Sequence, residues 1–412
     1  MRVLYAREYF YPDQTGPTFA SDIVHALVTN YPEVRVHVIC GNRSYAESEA
    51  RYERRDLWDG IRITRVNAPR TKHPRAPLRL ARGAWFASRV GAELRRIPPD
   101  YDVVLVVSDP PVLPKWLLGW ARRHRIPVAY MIADLFPDMA IALGTISRTS
   151  WLARAASNLQ KTWLHQAVRI QVLGECMRSH IAGTYEVPED LIDIVSPIAQ
   201  APPEMPPGAG EVAKCKLGLE GFVVLYAGNV GEAQQLEDLL DAAEILQASG
   251  EPAVTFALVG DGSHRRALQM TAQARGLTTV RFIDRVPSSE ISRVLACADL
   301  AVVTLDPRVS RLAVPSKLFG VMAAGRPCLA IVGDDSEVAR LVRSYGSGIC
   351  VEPGHPDALA VVIRQAQGDP SGLARMGTNG RSAMLATHTP RAAAGALHQS
   401  LSEVVAAGES RA

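Results

Sequence analysis

Short apolar runs alternate with amphipathic stretches from one end of the chain to the other, and this alternation restricts the fold more than any other feature. Strands that are apolar throughout must be covered on both faces, so the pattern predicts α/β layers with parallel sheets. RVLYA at 2–6 reads as a first strand, TFASDIVHALVTNY at 18–31 as a helix and VRVHVIC at 34–40 as a second strand. DVVLVVS (102–108), PVAYMI (127–132), RIQVLG (169–174) and DIVS (193–196) complete a first set. QAPPEMPPGAG (200–210) then holds four prolines and two glycines, which neither a helix nor a central strand tolerates. It reads as a linker. The pattern restarts with strands at 222–228, 254–260, 280–284, 299–305 and 328–332 and helices at 236–249, 263–275 and 317–324. A chain of 412 residues suits two domains. The expected boundaries are 1–200 and 201–385, followed by an Ala-rich terminal helix, 386–412, packing back on the first domain. Ligands of such doubly wound sheets bind beyond the carboxyl ends of the strands.

Composition removes several function classes. The chain is 47% hydrophobic and 21% charged, which describes a folded globular protein. No run of about 18 apolar residues is free of charge, so no transmembrane helix is expected. Arg7 and Glu8 interrupt the apolar start where a secretory leader needs continuity, and the expected location is the cytoplasm. Cysteines 40, 176, 215, 297, 328 and 350 form no CxxC pair, and the histidines form no HExxH, so no metal is expected. Asp100-Tyr101-Asp102 matches the DxD pair that binds metal in many sugar transferases. It precedes a strand instead of following one, and reads as a solvated turn.

The net charge of +3 conceals an asymmetry, since residues 1–200 hold 26 Lys and Arg against 20 Asp and Glu. Within 70–96, Arg70, Lys72, Arg75, Arg79, Arg82, Arg89, Arg95 and Arg96 face only Glu93, with Trp85 and Phe86 among them. Two readings stand: a basic helix lying peripherally on an anionic membrane, or a solvated basic face. No nucleic-acid motif accompanies the charge, and nucleic acid is not an expected partner.

Three strand-to-helix turns carry the candidate chemistry. In VPSKLFGVMAAGRP (314–327), Ser316 reads as an N-cap, and Lys317 falls in the first helical turn. A cation there opposes the helix dipole, a placement that makes sense if an anion docks against the free amides and the ammonium. The other two are YAGNVGEAQQ (226–235), with Gly228 and Gly231, and LVGDGS (258–263), with Gly260 and Gly262 bracketing Asp261. Taken singly, each could be an ordinary capped turn. All three fall in one domain at strand carboxyl ends and would converge on one crevice. In the first domain, Gly16 and Pro17 open the first helix and offer another anion site. Asp134 follows a strand within ADLFPDMA (133–140), where it would orient an acceptor hydroxyl, act as a general base or cap the next helix.

These residues resemble a known family. YAGNVGEAQQLEDLLDAA, FALVGDG, VRFIDRVPSSEI, VPSKLFGVMAAGRP, DDSEVARLV and GSGICVEPGHPDALAVVI occur in the order seen in retaining glycosyltransferases of family 4. The chain is most similar to the branch that makes bacterial surface polysaccharides such as colanic acid and O-antigen. The first half matches more loosely through YFYPDQTG, ADLFPD with ALG, and QVLGECM. The resemblance implies the GT-B fold, two Rossmann-like domains facing across a cleft. It implies a donor diphosphate near Ser316, Lys317 and Leu318, with help from the Gly16 loop. Asn229 and Gln234 occupy positions where many relatives place an Arg and a Lys on the phosphates. Base contacts are implied near Ile283 and Arg285, beside the Gly260–Asp261 turn, and sugar contacts from the loop before Glu337. Two glutamates eight apart in many relatives are replaced here by Leu312 and Gly320, so ribose recognition must come from elsewhere.

The expected activity is transfer of a sugar from a nucleotide-diphosphate donor, UDP-linked hexose or N-acetylhexosamine, to a hydroxyl of a lipid-linked saccharide, without a metal or other cofactor. Lys317 and Asp134 are the expected catalytic residues. Three alternatives remain open: transfer to a soluble natural product, a nucleotide-sugar epimerase, and an inactive nucleotide-sugar-binding relative.

Overall fold

The computed structural model describes residues 1–12, 19–44, 51–69, 76–199, 208–250 and 254–410. They form two compact units, Met1–Pro197 with Pro390–Ala412, and Ile198–Thr389. Unit 1 carries strands β1 (Arg2–Ala6), β2 (Arg35–Gly41), β3 (Arg55–Trp58), β4 (Ile61–Val66), β5 (Val103–Val107), β6 (Val128–Met131), β7 (Arg169–Val172) and β8 (Ile192–Ile194). Their order is β3-β4-β2-β1-β5-β6-β7-β8, and β3 alone runs antiparallel to its neighbour. The helices are α1 (Phe19–Asn30), α2 (Ala76–Leu94), α3 (Leu113–His124), α4 (Asp138–Ala142), α5 (Trp151–Leu164) and α6 (Glu175–Tyr185). All five residues of β5 are buried, as a strand covered on both faces requires.

The β3–β4 hairpin was not among the expected strands. RDLW is exposed along its edge and shows no buried alternation. The available signal was the Asp59-Gly60 turn, where positive φ values of 45° and 85° suit a two-residue hairpin.

Unit 2 carries α7 (Ala209–Leu217), β9 (Phe222–Ala227), α8 (Glu237–Ala248), β10 (Val254–Val259), α9 (Arg265–Ala274), β11 (Val280–Ile283), α10 (Ile291–Ala296), β12 (Leu300–Thr304), α11 (Lys317–Ala323), β13 (Cys328–Ile331), α12 (Glu337–Tyr345), β14 (Gly348–Val351), α13 (Pro356–Gln367) and α14 (Pro370–Thr387). The sheet is parallel throughout, in the order β11-β10-β9-β12-β13-β14. Alternate residues of β9 enter two cores. Val224 and Tyr226 pack with Leu239 and Leu240 of α8 and Ile363 of α13. Val223 and Leu225 pack with Leu318, Phe319 and Met322 of α11. Strand β14 was also not anticipated, because GICV is a short edge strand with three of four residues only partly buried.

The expected terminal helix, 386–412, corresponds to one helix that starts a few residues later; the helix before it, α14, was not anticipated. Helix α14 ends at Thr387, and Pro390 opens α15 (Pro390–Glu409). Helix α15 belongs to unit 1, where Ala394, Leu397, Leu401 and Val404 are fully buried. Ser400 accepts from Gln171 Nε2 at 2.6 Å and donates to Asp193 at 2.5 Å, and His398 stacks on Tyr31 at 3.8 Å. Of the linker, only 208–210 lies within the described residues. Among the described residues, no helix is long and apolar enough to cross a membrane.

Candidate functional site

Both sheets reverse their winding once, between β1 and β5 in unit 1 and between β9 and β12 in unit 2. Helices leave on opposite faces at such a point, and a crevice opens at the carboxyl ends.

In unit 2 that edge is built from glycine. Gly228 ends β9 with φ 148°, and Gly260 ends β10 with φ 141°. A Cβ on Gly260 would overlap the Gly228 carbonyl, and one on Gly262 would overlap the Val230 carbonyl. The two turns are stitched by Gly228 N–H to Val259 O (2.9 Å), Val230 N–H to Asp261 O (2.9 Å) and Gly260 N–H to Ile283 O (3.0 Å). A Cβ on Gly228 would overlap the Lys317 side chain. The missing side chain thus lets Lys317 cross the end of the sheet. There its ammonium donates to the Tyr226 hydroxyl and sits 4.3 Å from the centre of the Tyr226 ring. Tyr226 in turn donates to the Asn229 carbonyl at 2.6 Å.

This environment is apolar, and burial lowers the Lys317 pKa to about 8. Burial likewise raises that of Tyr226, which therefore stays a neutral phenol. No carboxylate pairs with Lys317 among the described residues. An ammonium taken out of water without a counter-charge is costly, so the position suits a ligand that brings negative charge.

The other expected donor residues fall into three groups. Asn229, Gly260, Asp261 and Ile283 lie with Lys317 at the ends of β9, β10 and β11. Gln234 stands on the same turn, but its Oε1 already accepts from Gly231 N–H (3.0 Å) and Asn229 Nδ2 (3.4 Å). It shapes the turn and has no cation to offer. Asp261 is exposed and accepts from Gly262 N–H at 2.8 Å. Arg285 is exposed just past β11. Its neighbour Asp284 pairs with Arg265 at 2.8 Å, which also donates to the Gly260 carbonyl at 3.0 Å.

Two expectations need correction. Ser316 does not cap α11 through its side chain: its own backbone is helical, with φ −59° and ψ −18°, and no side-chain bond forms. The turn begins one residue earlier than expected, so the hydroxyl no longer faces the following amides. Leu318 N–H goes to Pro315 O and Phe319 N–H to Ser316 O, both at 3.2 Å, while the amides of Ser316 and Lys317 have no backbone acceptor among the described residues. Leu318 itself is fully buried in the core and offers no side chain to a ligand. Glu337 opens α12, is 2% exposed and pairs with Arg340 (Nε 3.1 Å), so it is not a free carboxylate. Of the two departures from the family glutamates, Leu312 is buried, whereas a side chain at Gly320 would meet open space. Gly16 lies outside the described residues.

The corresponding edge of unit 1 holds charges that sequence reasoning missed. Arg7 and Glu8 follow β1 and are both buried, although they had counted only as breaks in an apolar run. Arg7 bonds to the Tyr5 hydroxyl and faces Asp109 and Asp134. Glu8 pairs with Arg82 at 3.0 Å; burial raises its pKa, which Arg82 opposes. Asp134 lies three residues beyond β6, its N–H held by the Ser108 hydroxyl at 3.3 Å. The residue is exposed, yet protein atoms crowd the carboxyl, and that desolvation with nearby Asp109 raises its pKa against the pull of Arg7. A carboxylate of raised pKa at a strand end can accept a proton from a hydroxyl. Asp138 is used differently: it accepts from His180 Nε2 at 2.9 Å and from the Tyr185 hydroxyl, which fixes the start of α4. The Asp100-Tyr101-Asp102 run is held more firmly than a solvated turn, since both carboxylates pair with Arg2 and Tyr101 bonds to His37 at 2.5 Å.

Comparison with known proteins bears on the family and the fold. Residues 17–197 match the glycosyl transferase 4-like domain, and 221–369 match glycosyl transferases group 1. The chain is 28% identical over 268 residues to the probable glycosyltransferase WbjE of Pseudomonas aeruginosa, covering 64% of this chain and 65% of that one. It is 33% identical over 145 residues to the putative colanic acid biosynthesis glycosyl transferase WcaI of Escherichia coli K12, 35% of each chain. The matches therefore span under two thirds of these relatives' lengths. Among solved structures, Anabaena HepE in complex with UDP superposes with a TM-score of 0.70 at 16% identity, over 98% of this chain and 100% of that one. At that identity the likeness shows the fold, GT-B, built from two parallel-sheet α/β domains. With a glycosyl transferase 4-like domain matched on the first sheet unit and a group 1 domain on the second, the chain is built from two glycosyltransferase domains.

Proposed function

We propose that the chain is a retaining glycosyltransferase that moves a sugar from a nucleotide diphosphate, a UDP-linked hexose or N-acetylhexosamine, to a hydroxyl of a lipid-linked saccharide in cell-surface polysaccharide assembly. One observation carries the reading: the desolvated Lys317 ammonium has no carboxylate partner among the described residues and sits among glycine turns at the strand ends. The unclaimed amides of Ser316 and Lys317 add donors for the same diphosphate. In the reaction, the bond between the anomeric carbon and the β-phosphate oxygen breaks, and its electron pair stays on the diphosphate. Lys317 stabilises that charge as it develops. The acceptor hydroxyl attacks from the face the diphosphate leaves, and its proton passes to the departing phosphate or to Asp134. The role given elsewhere to a metal falls to Lys317, so the reaction should proceed in chelator. The relative named for colanic acid biosynthesis supports the acceptor class. The UDP in the HepE complex supports the base.

We place the protein at the inner face of the plasma membrane, touching anionic lipid through α2. Of the two aromatics expected there, Trp85 is half exposed while Phe86 is buried in the core. Arg70, Lys72 and Arg75 lie outside the described residues.

The deciding experiment is a thermal-shift panel of UDP, GDP, ADP and their sugars. A ligand that binds only the folded state raises the melting temperature. A shift with UDP alone supports the donor, and no shift with any nucleotide favours an inactive relative. Asp134→Asn should lower kcat by about 100-fold and leave the UDP shift unchanged. If UDP affinity falls instead, Asp134 belongs to the donor site.

A further inference from the structure

The chain draws nearly all of its positive charge from arginine: six of its 45 cationic residues are lysine. Arginine meets phosphate in a bidentate fork and stays charged at every ordinary pH. What lysine adds is an amine that can lose its proton and become a nucleophile. Lys72 lies outside the described residues. Lys161 pairs with Glu186 at 2.6 Å and Lys214 with Asp299 at 2.8 Å, while Lys115 and Lys216 are exposed to water. Lys317 is unlike any of them. It is partly exposed, crosses the strand ends where Gly228 has no side chain, and meets no carboxylate among the described residues.

Its surroundings leave the nitrogen available. The Tyr226 hydroxyl gives its own proton to the Asn229 carbonyl at 2.6 Å, so towards Lys317 it only accepts. No donor bonds to the nitrogen among the described residues, and the lone pair of the neutral amine is free to attack. Burial without a counter-charge brings that neutral form within reach. At pH 7.5 roughly a quarter of Lys317 is free amine, against about one in a thousand of a lysine at its ordinary value. Conversion to an amide would also end the cost of a lone desolvated charge, because an amide is neutral and keeps one N–H for the Tyr226 oxygen.

We propose that Lys317 is a modification site for acyl phosphates, mixed anhydrides of a carboxylic and a phosphoric acid, and that its acylation closes the donor site. This rests on the donor reading above, which puts phosphate beside the same nitrogen, and adds a regulation to it. The amine lone pair attacks the acyl carbon. The bond from that carbon to the bridging oxygen breaks, its electron pair leaves on phosphate, and the surplus proton on nitrogen passes to water. The amide that forms carries no charge and cannot stabilise a departing diphosphate. A bound nucleotide would occupy the same place, so the switch acts on the empty enzyme.

Incubating the whole chain with acetyl phosphate at pH 7.5, and reading acetylation at each lysine by peptide mass spectrometry, tests this. Lys317 should be labelled about tenfold faster than the exposed Lys115 and Lys216, its larger amine fraction outweighing the weaker nucleophilicity of a less basic nitrogen. Its rate should climb with pH and level off above about 8. UDP should slow labelling at Lys317 alone, and the labelled chain should lose its UDP-induced thermal shift. Equal labelling of the three lysines would overturn the proposal, as would a full UDP shift from chain acetylated at Lys317. The variant Lys115→Arg/Lys216→Arg is altered only at exposed positions and should be shut by acetyl phosphate as the wild type is. A UDP shift that survives treatment there would assign the effect to those two lysines and overturn the proposal too. Lys317→Met separates the switch from the donor reading. If that variant loses the UDP shift while wild-type Lys317 stays unlabelled, acylation alone fails and the donor assignment stands. If it keeps the UDP shift, the donor assignment fails and the switch with it.

Discussion

Replacing Lys317 with alanine should lower kcat by about 100- to 1,000-fold, the cost of removing one preorganised donor from a developing anion. The UDP-induced thermal shift should disappear with it. The same site predicts an opposite effect on the empty protein. Burial holds the folded-state pKa of Lys317 at about 8, below its ordinary 10.5. At pH 7 both folded and unfolded chains carry the proton, and only the folded chain bears the cost of a desolvated charge. Between pH 8 and 10.5 the unfolded chain keeps the proton that the folded chain has lost, so stability rises with pH through that window. Lys317→Met keeps the stem against Gly228 and Tyr226 and removes the charge. It should stabilise the nucleotide-free protein at pH 7 by about 1–3 kcal/mol while abolishing UDP binding. Wild-type affinity for UDP should weaken as pH rises through 8, because the neutral amine no longer meets the phosphates. A mutant less stable than wild type at pH 7, with UDP binding intact, would show that Lys317 serves packing and not the diphosphate.

Gly260→Ala should be the most damaging single methyl in unit 2. Its φ of 141° lies where residues with a side chain are strained, and the added Cβ would overlap the Gly228 carbonyl. Both obstacles are backbone, on adjacent strands held by the β9–β10 ladder, so neither can move without opening the turn that Lys317 crosses. We expect a loss of about 3–5 kcal/mol, seen as a large fall in melting temperature or as insoluble protein. Gly320→Ala is the control. It lies within α11, its Cβ would meet nothing within 4 Å, and helix propensity alone should leave stability equal or raised by about 0.5–1 kcal/mol. Equal behaviour of the two variants would mean that glycine at 260 is not structurally required.

The chain's periodicity determined a great deal by itself. Strands buried on both faces need unbroken apolar runs, so β1, β2, β5, β6, β9, β10, β12 and β13 were legible as sequence. So was the restart after the proline-rich segment, because prolines exclude both helix and ladder. Edge strands escaped for the converse reason: β3 and β14 bury little, and burial is what writes the pattern. Lys317 was legible because a cation in a first helical turn is locally unfavourable, an anomaly visible without a structure. Tyr226 was not, since its hydroxyl lies 91 residues from Lys317 along the chain and reads as one more apolar residue of a strand. Arg7, Glu8 and Arg82 were hidden likewise, because a charged residue in a sequence carries no mark of whether it meets water or a partner 74 positions away. Local propensity and binary pattern are written residue by residue. Desolvation and ion pairing depend on what the rest of the chain brings alongside, and only the tertiary structure decides that.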